Sequence, residues 1–187
     1  MLCNLDLDFN TPVKNKIYDV VVVGAGQAGL SISYFLSKSK INHVVLDQGK
    51  LGNAWLNDRW DSFCLVTPNW SITLPGGEYT GSEPGAFMSG KDFRVYLKKW
   101  ATSFNAPVEE HVVVERIIKE GENFHIGTNQ GKLKSKQVVI ATATYQRPRI
   151  PEEIKGLSRN ILLLPASDYR NPSTLPAGGC LLYTSDA

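Results

Sequence analysis

The chain has 187 residues, 42% of them hydrophobic, and a formal net charge of +2 from 20 basic and 18 acidic residues. That length suits one domain with a proper core, and the interspersed charges exclude a nucleic-acid stripe or a polybasic membrane patch. No apolar run approaches a membrane span, and the three scattered cysteines, Cys3, Cys64 and Cys180, make no disulfide framework, so the expectation is a soluble, cytoplasmic protein.

Met1 to Lys16 lacks a signal-type apolar stretch and reads as a short tail. Ile17 and Val20 to Val23 then form a β-branched run, as expected for a strand buried on both faces. Gly24-Ala25-Gly26-Gln27-Ala28-Gly29 follows at once, and Ala28, Ile32, Phe35 and Leu36 recur at helical spacing. A second strand, His43 to Leu46, ends in Asp47, 18 residues after the last glycine of the turn. Strand, glycine turn, helix, strand and acid in this order make a βαβ dinucleotide-binding unit. Gly24 permits the tight turn, Gly26 lets backbone approach a pyrophosphate, and Gly29 lets helix and strand pack closely. Amides at the helix start, those of Gln27 and Ala28, would face the pyrophosphate, where the helix dipole favours negative charge. The dipole supplies only about 0.3–2 kcal/mol, so Asp47 on a ribose hydroxyl, with Gln48 beside it, has to add binding. Lys40 stands where a helix C-terminal glycine is usual.

Gly52-Asn53-Ala54-Trp55, Arg59-Trp60-Asp61 and Pro68-Asn69-Trp70 place three tryptophans within 16 residues of a loop. Such a loop either covers something flat or is pinned to the core by its rings. Leu74 to Gly85 reads as irregular. Ser89 to Asp92 is a capping box opening a helix with Phe93, Leu97, Trp100 and Phe104 along one face, and Pro107 lies just beyond it. His111 to Ile118 is the next predicted strand. Phe124 to Thr128 and Lys132 to Lys136 form a hairpin around Asn129-Gln130-Gly131, and Gln137 to Ala141 is a further short buried strand.

The three histidines, His43, His111 and His125, have no metal-ligand spacing, and no G-x-S-x-G elbow is present. Cys64 has no second cysteine nearby, which counts against a flavin disulfide reductase. The GAGQAG turn, the segment GNAWLNDRW from Gly52 to Trp60 and the strand-end VVIATATYQRPRIP together resemble flavin-containing monooxygenases and related flavoproteins, over roughly Tyr18 to Gly179.

That resemblance implies a Rossmann-like α/β FAD-binding domain at 17–179, a parallel sheet with a βαβ unit plus an antiparallel β-meander, truncated before an NADPH domain. Gly24, Gly26 and Gly29 would then meet the FAD pyrophosphate and Asp47 the adenosine ribose. Trp55, Arg59 and Trp60 would lie near the flavin, Val114 backbone at the adenine edge, and Thr142 at the threonine of the family's A-T-G strand end. Partners would be a small-molecule substrate and oxygen, with NADPH as reductant. This sequence departs from the pattern at three places. Ala143 replaces the A-T-G glycine, the loop after Arg59 lacks Pro-Gly, and of the F-x-G-x-x-x-H-x-x-x-[YW] motif, aligned on Arg159, Ile161, Pro165 and Tyr169, only Tyr169 matches. A flavin reductase or oxidase, or a non-catalytic nucleotide-binding module, are the competing expectations. Cys180 to Ala187 resembles the translation of a transposase sequencing adaptor, so the natural sequence is expected to stop near Gly179.

Overall fold

The computed structural model describes residues 17–143, 151, 152, 156, 158 and 160–179. The tail at 1–16, the adaptor-like segment at 180–187, Arg159 and positions 144–150 of the flavoprotein-like string lie outside the described residues.

Strand β1 (Ile17–Val23) becomes fully buried from Val20 onward. Val20 and Val22 enter one apolar cluster while Val21 and Val23 enter another, so the strand has protein on both sides. That is why its sequence runs continuously apolar instead of alternating. Helix α1 (Gln27–Lys38) returns the chain to β2 (His43–Leu46), which pairs parallel to β1 with Val23 opposite Leu46.

The buried face of α1 is Gly29, Leu30 and Ser33, whereas Ala28, Ile32 and Phe35 of the predicted apolar stripe are exposed. The physical reason is close approach. A Cβ on Gly29 would sit 1.9 Å from the Gly24 carbonyl oxygen, so the helix rests on the strand through a glycine. Ser33 bonds the buried His43 ring at Nε2, 2.8 Å away, and the ring's Nδ1 meets the Ile41 carbonyl at 2.9 Å. Lys40 takes the left-handed conformation, φ 54°, as the C′ residue of a Schellman motif. The Ile41 amide donates to the Leu36 carbonyl and the Lys40 amide to that of Ser37.

Beyond β2 the structure is more regular than the sequence reading. Asn53–Asn57 forms the short helix α2, and Asn69–Ser71 a 3-10 turn. Within the stretch read as irregular, β3 (Thr73–Leu74) and β4 (Gly77–Glu78) make a small antiparallel hairpin. Its turn is held by helix α3 (Gly90–Ser103), where Tyr96 donates to the Gly77 carbonyl at 2.8 Å and Trp100 to that of Pro75 at 3.1 Å. The predicted helix start is capped by Ser89, whose Oγ accepts from the Asp92 amide. The Asp92 carboxylate accepts from that hydroxyl, where a capping box would use the Ser89 backbone amide.

The strand predicted at His111 to Ile118 begins three residues later, and an unpredicted two-residue strand precedes it. β5 (Val108–Glu109) pairs parallel to β2, and β6 (Val114–Glu120) starts later because His111 turns the chain at φ 61°. β7 (Asn123–Thr128) follows, and the two predicted strands at Lys132 to Lys136 and Gln137 to Ala141 are one, β8 (Gly131–Ile140). β8 runs antiparallel to β7 over its first half and parallel to β1 over Ile17 to Val23. The sheet order is β5-β2-β1-β8-β7-β6, the α/β arrangement with an appended meander expected from the sequence. Among the described residues no helix is long and apolar enough to cross a membrane.

Candidate functional site

At the carboxyl end of β1, Gly24 has φ +108°, and a Cβ there would lie 2.4 Å from the Ala141 carbonyl oxygen. Gly24 is therefore required by the fold itself. Gly26 is different. Its φ of −83° and ψ of −172° suit any residue, and a Cβ would meet nothing within 4 Å among the described residues. Gly26 opens α1 with no side-chain cap, which leaves the first helical amides, those of Gln27 and Ala28, without an intrahelical acceptor. Thr142 follows β8 at the same edge, where the Ala141 amide donates to the Val23 carbonyl at 2.8 Å.

Asp47 closes the turn from the other side. One carboxylate oxygen accepts from the Ala25 amide at 2.7 Å and the other from the Gly49 amide at 2.8 Å. Each oxygen has a second acceptor position for a hydroxyl. Gln48 is exposed beside it. The Asp47 carbonyl accepts from Val112 at 2.8 Å, so Val112 lies directly against the acid. Val114 lies two residues further on and packs into the apolar cluster with Val44 and Leu46.

The predicted aromatic loop divides its labour. Trp55 packs edge-on to Phe93, with ring centroids 4.8 Å apart, and so anchors α2 to α3. Trp60 and Trp70 are exposed. Arg59 lies over the rings of Trp55 and Phe63 at 5.5 and 5.3 Å, a favourable cation–π geometry. Its Nε is buried with no hydrogen-bond partner among the described residues. Gln27, Trp55, Arg59 and Trp60 line one cleft of about 370 Å³ with Thr67 and Ser71. The structure thus unites Gly24, Gly26, Gln27, Ala28, Gly29, Asp47 and Thr142 at the strand ends, and joins the aromatic residues to them through Gln27.

Sequence reasoning missed the groups that hold this site from outside. The Arg170 guanidinium donates to the Arg59 carbonyl at 2.9 Å, Asp61 donates its amide to the Arg170 carbonyl, and Asn171 bonds the Asp61 carboxylate at 2.7 Å. Asn129 and Gln130, read as turn residues, bond the segment at 111–113. Contacts across this many residues leave no local signal.

Residues 21–161 match the family model described as pyridine nucleotide-disulphide oxidoreductase. The chain belongs to this family. The uncharacterized oxidoreductase CzcO of Bacillus subtilis is 38% identical over 167 residues, covering 89% of this chain and 48% of that protein. A CzcO-like oxidoreductase of Geobacillus kaustophilus is 35% identical over 89% of this chain and 47% of its own. The chain spans about half the length of these relatives. Among solved structures, a mutant flavin monooxygenase from Stenotrophomonas maltophilia superposes with a TM-score of 0.67 at 30% identity, over 73% of this chain and 41% of that one. The bacillithiol disulfide reductase of Staphylococcus aureus, at 16% identity and a TM-score of 0.67, shares the fold. These matches bear out the resemblance to monooxygenase-like FAD- and NAD(P)-dependent oxidoreductases. Cys64 is the only cysteine among the described residues, so they carry no thiol pair for disulphide chemistry.

Proposed function

We propose that this chain is the FAD-binding portion of a flavin-dependent, NADPH-using oxidoreductase of the monooxygenase-like type, acting on a small molecule and oxygen. The observation that carries this reading is the open space at Gly26. Gly24 and Gly29 are glycines because protein atoms crowd them, while among the described residues nothing requires Gly26 to lack a side chain. A ligand backed against that turn supplies the requirement, and a pyrophosphate on uncapped helix amides suits it.

The other residues fit the rest of the cofactor. Asp47 keeps free acceptor positions for ribose hydroxyls and, as a carboxylate, repels a 2′-phosphate, which favours FAD over NADPH at this turn. The cleft volume falls in the range of small-molecule sites. Its Arg59 carries a buried nitrogen in want of an acceptor. Trp55, Arg59 and Trp60 would hold the flavin side, Gly24, Gly26, Gln27, Ala28 and Gly29 the pyrophosphate, and Asp47 and the Val112–Val114 stretch the adenosine. FAD supplies electron transfer between a nicotinamide and oxygen, and the protein binds, orients and excludes water. The glycine fingerprint at Gly24 to Gly29 is assigned here to FAD, and NADPH would act from a separate site.

The test is Gly26→Val in the full chain. Valine at this N-cap costs at most about 1 kcal/mol of helix stability, and the backbone angles are ordinary. The variant should keep its far-ultraviolet circular dichroism and purify without FAD. A yellow Gly26→Val protein at full FAD occupancy would overturn the assignment.

A further inference from the structure

The segment at 111–113 links two parts of the molecule that the sequence keeps far apart. On one side it is bonded to the acid-bearing loop. The Val112 amide donates to the Asp47 carbonyl at 2.8 Å and the His111 amide to the Gly49 carbonyl at 3.1 Å. On the other side it meets the β7–β8 turn. Asn129 Oδ1 accepts from the Val113 amide at 2.8 Å, and Asn129 Nδ2 donates to the His111 carbonyl at 3.2 Å. The Asn129 amide donates to the Val113 carbonyl at 3.1 Å, and Gln130 Nε2 reaches the His111 carbonyl at 2.9 Å.

One side-chain amide therefore acts as a strand partner, offering an acceptor and a donor to the two peptides that flank Val112. It continues the β6–β7 ladder beyond the last strand pair, Val114 and Thr128, beside the one backbone bond from Asn129 to Val113. The demand for it is local. His111 is a non-glycine residue at φ 61°, a conformation that persists only where neighbours over-determine it.

We propose that Asn129 is a positioning residue for the adenosine half of the dinucleotide site. The inference rests on the FAD reading above. Asn129 fixes 111–113, and 111–113 fixes the Asp47–Gly49 loop through two amides. The carboxylate that meets ribose is then held at the spacing set by the far end of the meander. Among the described residues, the flavin half of the site, around Arg59 and Trp60, has no hydrogen bond to this segment.

The experiment compares FAD, ADP and FMN binding to the apoprotein of the full chain, wild type against Asn129→Ala, below the unfolding temperature of both. FAD and ADP should each weaken about tenfold, with FMN affinity unchanged, because only the adenosine side has lost its alignment. Wild-type FAD affinity in the variant would overturn the proposal. So would equal weakening of FMN, which is what general loosening of the domain predicts. If Asn129→Ala fails to fold, Gln130→Ala removes one exposed donor to His111 and should shift FAD and ADP in the same direction by about two- to threefold, again sparing FMN; unchanged FAD in that variant would count against the proposal. A wild-type chain that takes up no FAD would sink the cofactor reading itself, a result distinct from any difference between variant and wild type.

Discussion

The Asp47 carboxylate accepts the Ala25 amide at 2.7 Å, tying the acid at the end of β2 to the turn at the end of β1. A residue read from sequence as a ligand for ribose is thus also a fastener of the glycine turn. Its second oxygen holds the Gly49 amide, so both ends of the local loop depend on one side chain.

Asp47→Ala should accordingly have two effects. FAD binding should weaken by about 1–3 kcal/mol, the range for a lost hydrogen bond to a charged group or for an amide left unsatisfied. The apoprotein should also lose stability by about 1–3 kcal/mol, because the Ala25 and Gly49 amides lose their acceptor. Flavin titration and urea unfolding measure the two separately. Lost affinity with unchanged apoprotein stability would show that the fastening role is absent.

Ala143 and Lys40 sit at φ 60° and 54° without being glycines. The left-handed conformation costs an L-residue about 1–2 kcal/mol, while glycine brings back roughly 0.4–1 kcal/mol of unfolded-chain entropy. Ala143→Gly, which restores the glycine of the A-T-G pattern, and Lys40→Gly at the Schellman position should each stabilise the protein by a net ~0.5–1 kcal/mol. The expected result is a higher urea midpoint at unchanged slope. A lower midpoint for Lys40→Gly would mean that its side chain contributes more than the strain it costs.

Asp19 and Lys136 pair across β1 and β8 at 2.7 Å. The hydrogen bond from Lys136 is the main cause holding the Asp19 carboxyl below its ordinary value of 3.8. A carboxyl depressed in the folded state contributes stability above its unfolded pKa, and that contribution is lost as pH falls through the folded value. The pair therefore acts above about pH 4 and fades on acidification below it, and salt weakens it because both groups face solvent. Lys136→Ala should raise the Asp19 carboxyl towards 3.8, which a carbon-detected NMR titration reads directly. An unmoved titration would remove Lys136 as the cause.

Local chemistry made the first part of the chain legible. A β-branched run, a glycine turn and an acid at fixed spacing are each set by neighbours in sequence, and the structure places Gly24, Gly29 and Asp47 as that spacing requires. The apolar period failed for α1, because Gly29 and Ser33 bury the helix through close approach and a polar bond where the pattern looks for large apolar groups. β8 escaped recognition as one strand because Lys132, Lys134 and Lys136 precede an apolar stretch, and only the change of partner from β7 to β1 reconciles the two halves. β5 holds two residues and is defined by its neighbour alone. Asn129 carried the signature of a turn, which it does form, and its second task depends on the distant segment at 111–113.

The pairing of β1 with β8 also sets a schedule for folding on the ribosome. Asp19 and Lys136 are 117 residues apart in the chain, so at synthesis rates of about 5–20 residues per second β1 waits roughly 6–25 s for its central partner. During that interval the hydrogen-bonding edge of β1 destined for β8 stays unpaired. The nascent chain is therefore most in need of chaperone cover between the emergence of β2 and that of β8, and substitutions that slow translation within that window should lower soluble yield without altering the finished molecule.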